Sequence, residues 1–164
     1  MAILTEHMKR VIHEQRLGFV ATVCPDGTPN LSPKGTLKVL DEDHLIFADI
    51  RSPRTVSNLQ TNPSIEINVV DQVLRKGYRF KGKARVLHKG DGLYNESFEV
   101  IKRDVTDADR RVKSIVLVAV EHAAALTSPG YDHGATEEQV KAAWQKYWAD
   151  LHSGEPTEDT PMNL

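Results

Sequence analysis

The sequence predicts a mainly β fold with flanking helices, in which six short antiparallel strands close into a barrel. Short runs of period-two alternation recur along the chain, turn residues punctuate them, and no long βαβ crossover separates them. The 164 residues suffice for one domain with its own core, expected over residues 1–152, followed by an acidic tail over 153–164. Hydrophobic residues at 40% and charged residues at 27% exclude a disordered or fibrous class. No apolar run reaches the ~18 residues of a membrane helix, and no signal-peptide pattern opens the chain. The single cysteine, Cys24, can form neither an internal disulfide nor a cysteine-based zinc site. A cytoplasmic protein is therefore expected, with no membrane partner.

The elements follow from local chemistry. Thr5 suits the N-cap of a short helix with Met8, Val11 and Ile12 on one face. Leu17 to Val23 reads as a strand, with Leu17, Phe19, Ala21 and Val23 on one side. Pro25-Asp26-Gly27 makes a turn, because Pro presets φ and Gly accepts the positive φ that follows. A second strand is predicted from Asn30 to Leu40, interrupted near Ser32-Pro33, and a third from Leu45 to Asp49, together a meander. Ser52-Pro53 starts a helix with Val56 and Leu59 as its apolar face, and Asn62-Pro63 ends it. Ile65 to Val70 is a strand with Ile65, Ile67 and Val69 on one side.

Residues 75–87 alternate most clearly. Arg75, Arg79, Lys81, Lys83 and Arg85 share one face, and Tyr78, Phe80, Ala84 and Val86 share the other. A helical segment is expected from about Asp91 to Arg103. Ser114 to Val120 is a continuous apolar strand expected to be buried on both faces, and Ala123 to Ala125 can extend it. Thr136 and Gln139 form a capping box for the last helix, where Val140, Trp144, Tyr147, Trp148 and Leu151 make a packing stripe.

A net charge of −2 hides an asymmetry: residues 34–89 carry a balance of +5, and residues 132–164 carry −5. Within the basic part, Arg51-Ser52-Pro53-Arg54-Thr55 is the most informative stretch. A helix start already carries free N–H groups and a partial positive charge, so cations there are unfavourable by about 0.3–1 kcal/mol. A bound anion reverses that sign. Phosphate suits the site, because the N–H groups, the Ser52 and Thr55 hydroxyls and the Arg54 fork can all donate to it. Two arginines simply pointing into water is the competing explanation. In Ser32-Pro33-Lys34-Gly35-Thr36-Leu37-Lys38, a glycine inside a strand marks close approach of a ligand or backbone, and alternation puts Lys34, Thr36 and Lys38 on one wall. Protective lysines on an edge strand explain the same pattern. The seven histidines show no metal-ligand spacing, and Cys24 has no neighbouring histidine to activate it. The cationic face at 75–85 could meet nucleic acid, but the aromatics fall on the opposite face and the net charge is negative, which argues against it.

Taken in order, Phe19-Val20-Ala21-Thr22-Val23, Asp26-Gly27-Thr28-Pro29, Ser32-Pro33-Lys34-Gly35, Phe47-Ala48-Asp49, Ser52-Pro53-Arg54-Thr55, Asn58-Leu59 with Asn62-Pro63, and Arg79-Phe80-Lys81-Gly82-Lys83-Ala84 resemble the pyridoxamine 5′-phosphate oxidase-like family of FMN-binding split barrels. The resemblance spans about residues 5–120. It implies a homodimeric, six-stranded split barrel with FMN in clefts at the dimer interface. It further implies that Lys34, Gly35, Thr36, Leu37 and Lys38 line the flavin and its ribityl chain, and that Ala48 and Asp49 approach it. Ser52, Arg54 and Thr55 would hold the phosphate, and Lys76 and Gly77 would come from the partner subunit. The chain departs from the oxidase proper at Pro33, Thr55 and Gly77, and ends Thr160-Pro161-Met162-Asn163-Leu164 without the oxidase's Arg-x-His substrate motif.

The resulting expectation is an FMN-dependent oxidoreductase acting with a small-molecule substrate or electron donor. Lys34 or Lys38 would stabilise negative charge on the reduced ring, and no side chain stands out as a general acid or base. The deazaflavin coenzyme F420 in place of FMN, and a flavin-binding protein without turnover, are the alternatives.

Overall fold

The computed structural model describes residues 3–153. Helix α1 (Glu6–Gln15) begins at Thr5, whose hydroxyl accepts the Met8 N–H at 3.3 Å, and buries Val11 and Ile12. Strands β1 (Gly18–Val23) and β2 (Pro29–Lys34) form a hairpin whose turn places Gly27 at φ 83°, where a side chain would be strained. Strands β3 (Lys38–Val39) and β4 (His44–Asp49) form a second. Then follow helix α2 (Pro53–Thr61), strands β5 (Ser64–Asp71) and β6 (Lys76–Leu87), helices α3 (Tyr94–Lys102) and α4 (Ala108–Arg111), strand β7 (Ser114–Thr127), a 3-10 turn (Pro129–His133) and helix α5 (Glu137–Ser153). The acidic stretch expected as a tail lies, from residue 154 on, outside the described residues.

The strands form one antiparallel sheet in the order β2-β1-β5-β6-β7-β4-β3, curved into a half-barrel with helices around it. The predicted class stands, with two corrections. The run from Asn30 to Leu40 passes straight through Ser32-Pro33 and breaks at 35–37, so one expected strand becomes two and the sheet has seven. The order is not a meander: β1 pairs with β5 and β4 with β7, contacts between segments far apart in sequence. The side of β1 that carries Phe19, Ala21 and Val23 faces outward, with Phe19 42% exposed, while Val20 and Thr22 point into the barrel.

Two apolar clusters lie on the two faces of the sheet. Val20, Leu45, Phe47, Ile65, Ile67, Val69, Phe80, Val116 and Val118 fill the barrel, closed at one end by Val11 and Ile12 of α1. Ile46, Ala48, Ile115 and Leu117 pack outward against Tyr94, Ile101 and Ala108 of α3 and α4. β7 is buried on both faces over its first half because it lies between these clusters. β6 keeps its predicted alternation: Phe80, Gly82 and Ala84 are buried while Arg79, Lys81, Lys83 and Arg85 are exposed. Arg75 leaves that cationic face. It sits in the preceding turn at φ 56°, its guanidinium 4.3 Å from the Trp144 ring of α5. Among the described residues no helix is long and apolar enough to cross a membrane.

Candidate functional site

The last residues of β4 feed directly into α2 through Ile50, Arg51 and Ser52. Pro53 occupies the first helical position, where its missing N–H costs nothing. Ser52 stands at the N-cap with φ −130° and ψ 46°, but its hydroxyl makes no capping bond, and the first turn holds no acidic residue. The Ser52 carbonyl accepts the Val56 N–H at 3.0 Å, which begins the helical ladder. Helix geometry therefore leaves the N–H groups of Arg54 and Thr55 without an intrahelical acceptor. Arg51 and Arg54 are exposed on either side, while Thr55 is buried. The Asp26 carboxylate lies near Arg54. It is held below its ordinary range chiefly by the Thr28 hydroxyl and N–H, which it accepts at 2.6 and 3.0 Å, with Arg54 adding to the effect.

The buried side of α2 differs from the expected Val56–Leu59 face. Thr55, Asn58 and Leu59 are buried and Val56 only half-buried. The Asn58 amide donates to the Thr22 hydroxyl at 3.1 Å and lies 3.5 Å from the Cys24 sulfur, and the Asn30 amide also donates to Thr22, at 3.2 Å. This polar seam fixes α2 against the β1–β2 hairpin. Sequence reasoning missed its role; the signal is the i, i+3 spacing of Thr55 and Asn58 beside Leu59.

Asp49 is 6% exposed at the end of β4, with both carboxylate oxygens engaged. One accepts the Ser52 N–H at 3.0 Å, and the other accepts the Ser114 hydroxyl of β7 at 3.4 Å. Lys34, also 6% exposed, points into the barrel, donates to the Ser32 hydroxyl and stands 6.0 Å from the centre of the Phe47 ring. Burial pushes its ammonium below the ordinary lysine value, and the nearby Asp49 charge acts in the opposite direction. The Thr36 hydroxyl accepts the Ala48 N–H at 3.0 Å, which ties the 35–37 turn to β4.

The structure thus gathers Lys34, Gly35, Thr36 and Leu37 with Ala48, Asp49, Ser52, Arg54 and Thr55. It does not put Lys34 and Lys38 on one wall. The turn at 35–37 interrupts the alternation, so Lys38 lies opposite Ile46 on the outer face and pairs with Asp104 behind α3. Lys76 and Gly77 stand apart within one chain. Asp49 pairs with the first residue of the 14-residue β7 and Lys76 with the last, about 40 Å of strand at ~3.3 Å per residue. Lys76 there bonds Glu137 of α5 at 2.6 Å and lies 4.2 Å from the Tyr131 ring. A Cβ on Gly77 would come within 2.0 Å of the Val69 carbonyl oxygen, so close backbone approach requires glycine. A cleft of about 600 Å³ lies between Val73 and Trp148 at this far end, away from α2. Among the described residues no group of His, Cys, Asp and Glu could hold a metal ion.

A half-barrel of antiparallel strands with flanking helices defines a class of split-barrel proteins. The chain belongs to the pyridoxamine 5′-phosphate oxidase family, whose model matches residues 4–125. It is similar to the crystal structure of Group A Streptococcus HupZ, with 31% identity over 76% of this chain and 94% of that one, at a TM-score of 0.67. It also resembles an FMN-binding protein of Syntrophomonas wolfei at 14% identity, covering 76% and 87% of the two chains with a TM-score of 0.64. An F420 reductase shares 19% identity over 73% and 98%, with a TM-score of 0.57. At these identities the last two show likeness of fold. In sequence, an uncharacterised protein of Methanocaldococcus jannaschii, MJ0282, is 30% identical over 92 residues, which span 55% of this chain and 60% of that relative.

Proposed function

We propose that this chain is a cytoplasmic FMN-binding oxidoreductase that works as a homodimer, with the cofactor phosphate at the start of α2. One observation carries the reading. The first turn of α2 is uncapped by any side chain, free of acidic residues and flanked by Arg51 and Arg54. Those donors suit a phosphate dianion, and the Asp26 carboxylate near Arg54 is engaged chiefly by Thr28. Arg54, Thr55 and Ser52 would hold the phosphate. Gly35, Thr36, Leu37 and Ala48 would flank the ribityl chain and ring, and Lys76 and Gly77 would reach the cleft from the second copy. Lys38 is assigned to this wall by the resemblance alone, because its ammonium is paired with Asp104. When bound, the flavin supplies the electron transfer, and the protein supplies placement and electrostatics.

The test is identification of the ligand that purifies with the protein. The expected outcome is a yellow protein that releases FMN on denaturation, confirmed by absorption and mass spectrometry. The fold likeness to an F420 reductase makes F420 the second reading; its phosphate would use the same helix start. A colourless protein that takes up neither cofactor in a titration overturns the proposal. A flavoprotein that is neither reduced by NADH or NADPH nor reoxidised by acceptors retains the cofactor assignment and loses the enzymatic one.

A further inference from the structure

We infer that Asp49 is the positioning residue of the anion site: its carboxylate sets the start of α2 and does not itself touch the cofactor. This rests on the reading above and departs from the expectation that Asp49 approaches the flavin. The geometry is a continuous strut from sheet to helix. Asp49 lies opposite Ser114 in the β4–β7 register, and its carbonyl accepts the Lys113 N–H at 2.9 Å, so its backbone is fixed on β7. Its side chain is fixed there too, through the Ser114 hydroxyl at 3.4 Å. The other carboxylate oxygen accepts the Ser52 N–H at 3.0 Å, and the Ser52 carbonyl accepts from Val56 at 3.0 Å. The first turn of α2, with the Arg54 and Thr55 N–H groups, is therefore tied to the sheet through this carboxylate, while the Asn58–Thr22 seam holds the body of the helix.

The charge arrangement supports the same role. A carboxylate next to an anion site would repel the ligand if it faced the ligand. Here it is buried, both its oxygens accept hydrogen bonds, and the buried Lys34 ammonium lies near enough to be influenced by its charge. Asp49 thus acts as an acceptor for Ser52 while its charge is balanced from inside the barrel.

The experiment compares wild type with Asp49→Ala, Asp49→Asn and Ser114→Ala. One measurement is amide hydrogen exchange of Ser52, Arg54 and Thr55 in protein freed of cofactor. The other is the ratio of FMN to riboflavin affinity, since riboflavin lacks the phosphate. Asp49→Ala should speed exchange at Ser52 by about tenfold, and weaken FMN by about tenfold with riboflavin changed by less than about twofold. Asp49→Asn keeps an acceptor for the Ser52 N–H and should recover most of the FMN affinity. Ser114→Ala should shift both readouts in the same direction by about threefold, and it is read in place of Asp49→Ala if that variant does not fold. Unchanged exchange at Ser52 overturns the inference, as does an equal loss of FMN and riboflavin, or an Asn variant as impaired as the Ala variant. If wild type binds no FMN, the proposed function fails, and the exchange measurement still decides the role of Asp49.

Discussion

Arg54 shows how a single side chain can be read from sequence. Its setting is local: a proline that fixes the first helical φ, a serine before it, and a second arginine three positions back. Each of these is a short-range preference, so the helix start and its surplus of positive charge are visible without the fold. In the structure Arg54 is exposed at the second position of α2 and free to reach a ligand. Replacing it with alanine should weaken FMN binding by roughly 1.5–3 kcal/mol, the value of a charge-assisted hydrogen bond, and leave riboflavin binding intact. Titration of flavin fluorescence measures both, and unchanged FMN affinity removes Arg54 from the site. The fate of Lys34 and Lys38 was not legible in the same way. Their separation depends on the turn at 35–37, and that turn is held by Leu37 packing into the space above Gly18, where a Cβ would come within 2.6 Å of the Leu37 side chain. That contact joins residues far apart in sequence, and alternation along one strand carries no trace of it.

At the scale of elements, period and capping were the reliable signals. β6 shows its alternation because one face is charged and the other apolar, a contrast written into every pair of neighbours. On β1 the contrast is absent: Phe19, Ala21 and Val23 are as apolar as Val20 and Thr22 on the inner face, and only the pairing with β5 decides which face turns inward. The capping box of α5 was equally local, and it forms: Thr136 N–H donates to Gln139 at 2.9 Å, and Gln139 N–H to the Thr136 hydroxyl at 3.2 Å. What the sequence did not show is where α5 docks. Arg75 stacks on Trp144, Lys76 bonds Glu137, and the Tyr131 hydroxyl donates to the Leu74 carbonyl at 2.7 Å, so the C-terminal segment grips the β5–β6 turn. The Lys76 hydrogen bond holds the Glu137 carboxyl below its ordinary value of 4.5. A depressed carboxyl pKa contributes stability above the unfolded value, and that contribution is lost as pH falls through the folded one. Both tryptophans of the chain, Trp144 and Trp148, lie on α5, so their emission reports on this docking. Acid titration should show a step in tryptophan emission below pH 4.5 that is missing in Glu137→Gln. Identical profiles for the two proteins would mean that the ion pair does not hold the helix.

At the scale of the whole molecule, the proposed placement of Lys76 and Gly77 in the cleft calls for a second chain. Asp49 and Lys76 pair with opposite ends of β7, so one cofactor cannot touch both neighbourhoods within a single half-barrel. The outward face of the β1–β2 hairpin is the surface suited to that second copy. Leu31 is 66% exposed opposite Ala21, and Phe19 is 42% exposed opposite Pro33, which makes one apolar strip along the edge of the sheet. Beside Phe19 across the β1–β5 pair, the Asn68 side-chain oxygen is buried without a hydrogen-bond partner in the isolated chain. The prolines at 29 and 33 remove N–H groups from β2, so association through side chains is favoured over addition of a strand. Placing charge on the strip by Phe19→Asp together with Leu31→Asp should therefore give a folded monomer in sedimentation, with its β circular dichroism retained. The same variant should lose about tenfold or more in FMN affinity, because a cleft without its second wall leaves the flavin half solvated. A monomer that binds FMN as tightly as wild type would separate cofactor binding from the dimer. A variant that remains dimeric would move the interface to another face.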